Sequence, residues 1–322
     1  MEKDGEVMKE NKKYNCIFDF DPGADDSVAL TLSLYDEVLD IKLITTVCGN
    51  LSVDKVTRNA LHLLEKFKRT DIPLAMGAKK AMYRMNPDAT FIHQNEGMGG
   101  YIPPKTVQTK PIEKNAIEAM YEVIKKYQKD IIIFALGPHT NLGYLITRHP
   151  DVVGMINHIY CEGCAPYGLK SEGKWVEYIS FNVSSDPEAF KIVLDSGIPI
   201  TIIPSRMGRE LANFTEEEVE YIKTINDVGR FINEIYSGYW EHNYPDRRIA
   251  TNDTCACMIM RYPKIFKTKK AFFDVDTDKQ PGKTIITFSR KGNVNFAYKV
   301  NKKKMHQIFY DSIKKLGNFK FY

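Results

Sequence analysis

Four aspartates fall within eight residues in the stretch 16–30, C-I-F-D-F-D-P-G-A-D-D-S-V-A-L: Asp19, Asp21, Asp25 and Asp26. The first two sit in an apolar run with Ile17, Phe18 and Phe20. Strand side chains alternate faces, so Asp19 and Asp21 share one face while Phe18 and Phe20 pack on the other. Pro22-Gly23 breaks the strand. Residues 27–34 read as a helix with Asp25 and Asp26 at its start, where free N–H groups and the helix dipole favour acids. A strand end, a tight turn and a helix start thus converge carboxylates on one point. Like charges brought together repel and need neutralising. Oxygen ligands without His or Cys suit calcium or magnesium, and a carboxylate-rich site with room for water leans to calcium. The alternative is a solvated acidic turn, which a Phe-rich buried strand argues against.

The elements that must position these acids follow a strand–helix rhythm. Apolar β-branched runs predict strands at 41–47, 72–76, 131–136, 156–161 and 198–203. Apolar spacing predicts helices at 53–67, 112–127 and 186–196, the last with Pro187 in its first turn. Further helices are expected at 216–223, 226–238, 254–260 and 302–315, and strands at 272–275, 284–288 and 294–300. Residues 78–110 and 162–180 read as long irregular stretches, which in a compact domain usually serve function. The pattern is that of an α/β protein: an open, mostly parallel central sheet with helices on both faces. Without a linker or internal repeat, residues 14–322 are expected to form one domain behind a flexible polar segment, 1–13.

Ligands of such sheets bind beyond the carboxyl ends of strands. Asn50 follows the strand at 41–47, Leu136 closes the strand at 131–136, and Asn182 and Asp253 precede expected helices. Each of the last two could instead cap its helix, and Asn50 could be a turn former.

D-x-D-P-G-x-D-D resembles the opening signature of the inosine–uridine preferring nucleoside hydrolases. Thr45-Thr46-Val47-Cys48-Gly49-Asn50 is similar to the family's T-T-V-x-G-N. Gly137-Pro138-His139-Thr140-Asn141 is similar to G-P-L-T-N, and Phe181-Asn182 with Asp186-Pro187-Glu188-Ala189 to its F-N…D-P-E-A block. The likeness spans roughly 14–318. It implies a Rossmann-like nucleoside hydrolase fold and calcium-dependent hydrolysis of ribonucleosides by an oligomer, a homodimer or homotetramer. It implies that Asp21 binds calcium and acts as general base, with Asp26, the Leu136 carbonyl and Asp253 as further ligands. Asp25, Asn50, Asn182 and Asp253 would hold the ribose, and Asp19 would orient the others from behind. The chemistry agrees: cleaving a ribose–base bond develops positive charge on the sugar, which carboxylates beneath it favour.

Departures from the family pattern fall on the base side and the 5′ side. Asn252 stands where a His commonly protonates the leaving base, and an amide cannot act as a general acid. Tyr244, with His242 and Arg247 near it, is the first candidate to assist the leaving base. Ser180 stands where a Glu commonly meets the sugar's 5′ end, and Glu162 where a Met is common. Lys174 and Trp175 fall near that 5′ region. His93, in a glycine-rich flap, is a further candidate substrate contact. Together these point to retained N-glycosidic chemistry on an altered substrate, one version being a 5′-modified or 5′-phosphorylated riboside.

Two other classes remain open: a degenerate riboside-binding protein, favoured by Asn252 and Ser180, and a phosphatase built on Asp19 and Asp21. The haloacid dehalogenase-type phosphatases also end a strand in D-x-D, but they carry Thr or Val soon after and lack a second Asp pair. With 322 residues, 43% apolar and 27% charged, the chain can bury a large core. A net charge of +4 is too small to suggest nucleic-acid binding. No apolar run approaches the ~20 residues that span a bilayer. Residues 1–13 carry no signal-peptide pattern, and six scattered Cys fit a reducing cytoplasm. The spacing around Cys161-x-x-Cys164 and Cys255-x-Cys257 does not support a zinc site.

Overall fold

The computed structural model describes residues 13–84, 96–171, 174–238, 248–317 and 319–321. Among the described residues the central sheet has nine strands. In chain order its first seven are β1 (Tyr14–Phe20), β2 (Leu39–Thr46), β3 (Leu74–Met76), β4 (Ile131–Ala135), β5 (Ile156–Glu162), and then, after a small hairpin of β6 (Leu169–Ser171) and β7 (Lys174–Val176), β8 (Ile200–Ile203) and β9 (Phe266–Val275). β10 (Thr284–Phe288) and β11 (Val294–Val300) complete it. The order across the sheet is β10-β9-β11-β8-β5-β4-β1-β2-β3. The run from β3 to β11 is parallel, and β9 is antiparallel to both β11 and β10. The sheet is open and mostly parallel, as the sequence pattern predicts.

The chain leaves β1 toward β2 and β3, then returns to β4 on the other side of β1. That reversal opens a crevice at the carboxyl ends of β1 and β4, the place where open α/β sheets bind ligands.

Helices cover both faces. Phe18, Phe20 and Phe134 pack with α1 (Ala24–Ser33), α2 (Val53–Lys66) and helices late in the chain. Ile17 and Ile133 pack on the opposite face with α3 (Ala116–Tyr127), α4 (Thr140–Arg148) and α6 (Pro187–Asp195), the last preceded by the short α5 (Phe181–Ser185). Alternation along β1 puts Phe18 on one face and Asp19 on the other, as the period of two requires. Then come α7 (Glu216–Ile225), α8 (Asp227–Ser237), α9 (Asn252–Arg261) and α10 (Lys302–Lys315). Among the described residues no helix is long and apolar enough to cross a membrane.

Several local expectations are corrected. α1 begins at Ala24, so Asp25 and Asp26 lie inside its first turn. α3 begins at Ala116 because Asn115 caps it, accepting from the Glu118 N–H at 3.1 Å. Residues 162–180 hold the hairpin β6–β7. Asn182 caps nothing: it sits inside α5, and Asp186 caps α6 by accepting from Ala189 N–H at 3.1 Å. Asp253 likewise lies in the first turn of α9, whose cap position is Thr251. A π-helical turn, Met207–Leu211, follows β8 where no regular element was expected.

His139, at the entry to α4, is fully buried against Phe190 with neither ring nitrogen hydrogen-bonded. Burial pushes its pKa down to about 3, so it stays neutral. A buried polar group without partners costs ~1–3 kcal/mol, so His139→Leu should raise the unfolding free energy by about that much. Urea denaturation measures it, and an unchanged or lower midpoint would count against the unpaired ring.

Candidate active site

Asp21 lies just past β1, between Gly49, after β2, and Gly137, after β4. A Cβ at Gly49 would stand 2.0 Å from Asp21 Oδ2, and one at Gly137 would stand 2.6 Å from Oδ1. The neighbouring strand ends close over this carboxylate, and only glycine permits it. Asn50 completes the enclosure. Its backbone N–H donates to Asp21 Oδ2 at 2.6 Å, and its amide donates to the Asp21 carbonyl at 3.0 Å and to Asp26 Oδ2 at 3.1 Å. Gly23 N–H also donates to Asp26 Oδ2, at 3.1 Å. The remaining oxygens, Asp21 Oδ1 and Asp26 Oδ1, are buried without a hydrogen-bond partner.

Asp253, on α9, joins this cluster from the far side. One carboxylate oxygen each from Asp25, Asp26 and Asp253 lies within 4.8 Å of the others. Leu136 presents its backbone carbonyl at the same cleft, where it accepts from the Asn182 amide at 2.5 Å. Asp19 lies behind, with Oδ1 accepting from Thr45 at 2.6 Å and from Asn141 at 2.7 Å. Asn141 in turn ties β2 to the segment after β3, donating to the Thr46 carbonyl and accepting from Ala78 N–H.

Burial pushes these acids up. Asp25 rises to about 6 and Asp26 to about 8, and for Asp26 the nearby Asp25 charge adds to burial. Asp21 and Asp253 rise well above the usual carboxylate range, through burial first and then repulsion from Asp26. Such a cluster is stable in ionised form only with a compensating positive charge. An oxygen-only donor set, convergent acids and two buried oxygens without partners fit a hard divalent cation.

The cleft is lined by Asp25, Asp26, Asn50, Leu136, Ser180, Asn182, Asn252 and Asp253 among the residues singled out from sequence. Asn252 Oδ1 is buried there without a partner. Lys174 is exposed on β7 and does not line the cleft. His93, His242, Tyr244 and Arg247 lie outside the described residues.

Glu162, singled out from sequence as a departure from the family pattern, lines the cleft, and so do three polar residues that sequence reasoning did not place here: Tyr178, Ser205 and Arg209. Glu162, at the end of β5, accepts from the Asn182 amide at 2.9 Å and from the Ser205 hydroxyl at 3.3 Å. Burial and the Asp25 charge push it up to about 8. Arg209 comes from the π-helical turn, and its guanidinium lies over the Tyr178 ring, 5.1 Å from the centroid. Single π-turns often mark functional sites, but no sequence signal here foretells one.

Residues 16–307 match the family model described as inosine–uridine preferring nucleoside hydrolase. The chain belongs to that family. It is an enzyme of the N-ribosyl hydrolase class. It is 33% identical over 264 residues to a non-specific ribonucleoside hydrolase, RihC, of Klebsiella pneumoniae, spanning 81% of this chain and 83% of the relative. The RihC of Salmonella paratyphi B is 32% identical over 272 residues, 84% of this chain and 86% of the relative. Among solved structures, a plant nucleoside hydrolase, PpNRh1, superposes with a TM-score of 0.85 at 24% identity, covering 94% of this chain and 99% of the other. A purine-preferring ribonucleoside hydrolase from Gardnerella vaginalis also gives 0.85, at 23% identity, covering 95% of this chain and 100% of the other. At those identities the structures establish the shared fold.

The buried acids link stability to pH. Asp26 and Glu162 stand near 8 in the folded chain against ordinary values of 3.8 and 4.5. Their folded forms hold protons that the unfolded chain releases, so this contribution is full below about pH 4 and drains as pH rises toward 8. The metal-free protein should therefore melt lower at about pH 8 than at about pH 6. A divalent cation binding only the folded form should raise the melting temperature, more so at the higher pH. Asp253→Asn should shrink that rise. Thermal melts in chelator and in calcium test this, and a melting temperature flat across the range would contradict it.

Proposed function

We propose that this chain hydrolyses the N-glycosidic bond of ribonucleosides in a calcium-dependent reaction, releasing ribose and free base. The observation that carries this reading is the enclosed Asp21, with Oδ1 unpartnered, beside the convergent acids Asp25, Asp26 and Asp253 at the crevice between β1 and β4. Asp21, Asp26, the Leu136 carbonyl and Asp253 would hold the cation. Bound calcium would neutralise the cluster and make a water in the site more acidic.

The chain's own groups then do the following. Asp21 takes a proton from the attacking water. The water oxygen bonds to the anomeric carbon as the carbon–nitrogen bond breaks, and that electron pair leaves with the base. The positive charge that develops on the sugar is favoured by the surrounding carboxylates. Asp25, Asn182 and Asp253 orient the ribose hydroxyls. Asn50 positions Asp21 and Asp26 through its three hydrogen bonds, and reaches the ribose from the same place. Asn252 supplies no proton. Its unpartnered Oδ1 offers an acceptor on the cleft wall, so the leaving base gains its proton elsewhere, with Tyr244 the first candidate. Ser180 faces the substrate on the other wall; His93, outside the described residues, and Lys174, exposed on β7, remain proposed contacts.

Ribose release from uridine, cytidine, inosine, adenosine and nicotinamide riboside, with calcium and with chelator, tests this directly. Asp21→Ala should lower kcat by ~10²–10⁴-fold, the usual worth of a general base. Chelation should abolish turnover and calcium should restore it. Riboside binding with no ribose release would instead identify a binding protein. Magnesium-dependent phosphate release would identify a phosphatase.

A further inference from the structure

The glycine-rich stretch at 97–100 has no part in the mechanism above, yet it is tied to the acidic turn. The tie is Asn59, a fully buried polar residue on α2. Its amide donates to the Glu96 carbonyl at 2.8 Å and to the Pro22 carbonyl at 3.3 Å. Its Oδ1 accepts from the Arg58 guanidinium at 2.9 Å and 3.3 Å. Both N–H groups and the oxygen of this amide are therefore engaged.

Pro22 and Gly23 share one peptide group, which is planar. Its carbonyl accepts from Asn59, and its N–H donates to Asp26 Oδ2 at 3.1 Å. Holding one edge of a planar group holds the other, so Asn59 reaches Asp26 through a single rigid peptide. Asn50 holds the same Oδ2, also at 3.1 Å. Asp26 Oδ1 is left without a hydrogen-bond partner.

The other end of the tie is equally fixed. Arg58 donates to the Glu96 carboxylate at 2.6 Å, and Lys55 lies 3.5 Å from its second oxygen. Gly97 follows at φ +84°, where only glycine sits without strain. A Cβ there would stand 2.2 Å from Leu51 Cδ1 and 3.0 Å from Asn59 Nδ2. Gly100 N–H donates to the Ile235 carbonyl on α8 at 3.3 Å, and Tyr101 N–H to the Met98 carbonyl at 3.1 Å. The segment is thus laid across α2 and α8 with Asn59 beneath it.

We propose that Asn59 is a positioning residue that sets the Asp26 carboxylate through the Pro22–Gly23 peptide and couples segment 96–101 to the cation site. This rests on the reading of that site given above. Asn59 touches neither cation nor substrate. It keeps Asp26 Oδ2 occupied by the peptide, which leaves Oδ1 for the cation.

Calcium affinity of the chelator-stripped protein, measured by calorimetry, tests this. Asn59→Leu keeps the volume and removes both donors. It should weaken calcium binding about tenfold to hundredfold, the usual loss when a group behind a metal ligand is removed. In an Asp26→Asn background the same substitution should have almost no further effect, since changes along one path do not add. Glu96→Gln frees the Glu96 side chain but keeps its carbonyl, and should leave calcium affinity as it was. Unchanged affinity in Asn59→Leu overturns the proposal. So do equal losses in the two backgrounds, the mark of a merely structural residue, and so does an equal loss in Glu96→Gln. The wild-type protein supplies a second measurement, which decides if Asn59→Leu does not fold. Calcium should slow hydrogen exchange at Gly100 and Tyr101 N–H, and exchange there indifferent to calcium overturns the coupling. Failure of the hydrolase reading looks different: a protein that binds calcium but turns over no riboside still gives each of these results. Wild-type protein that binds no calcium overturns both.

Discussion

Buried carboxylates that face one another are expensive, since each loses its hydration and repels the next. Asp21, Asp25, Asp26 and Asp253 are all nearly inaccessible to solvent, and two of their oxygens lack any hydrogen-bond partner. Nothing in ordinary folding rewards such an arrangement. The rest of the fold must hold these acids together against their repulsion, and a cation must be available to relieve it. The hydrogen bonds from Asn50 and Gly23 accomplish part of the first task by fixing Asp21 and Asp26 in orientation.

The sheet accomplishes the remainder. Parallel pairing of β1 with both β2 and β4 brings three strand ends to one level, and the reversal of chain direction across β1 leaves a gap there. Gly49 and Gly137 let those strand ends approach Asp21 more closely than any side chain would allow. Asp19, one residue pair deeper, is pushed up to about 6 by burial but is steadied by Thr45 and Asn141. It thereby links β1 to β2 and α4 and keeps the floor rigid. Function and packing are joined in the same bonds, so the site cannot loosen without the centre of the sheet loosening too.

The cleft walls are less constrained than the floor. Glu162, Ser180, Ser205, Arg209 and Asn252 come from four separate places: the end of β5, the approach to α5, the segment after β8, and the start of α9. A floor of acids serves any ribosyl transfer to water, while the walls meet whatever the sugar carries. Variation on the walls over an unchanged floor is the expected way for one fold to change substrate.

The acid cluster, the β-α alternation and the residues at strand ends were legible in the chain itself, because each depends on local order: period-two strands, helix starts and motif spacing within a few residues. The sequence could also locate Asn50 and Asn182, but it left open whether Asn50 was a turn former and Asn182 a helix cap. Asn182 lies within the short α5, still ahead of α6, and Asp253 lies in the first turn of α9 rather than just before it. Arg209 and Ser205 were invisible. Ser205 follows β8 just before the π-helical turn that carries Arg209, and the two reach Glu162 and Tyr178 only because β8 is laid beside β5. Sequence determines which groups a segment carries and which way a short element faces. Only the packed sheet decides which distant segments share a cleft, since that depends on strand order and on close approach between backbones far apart in the chain.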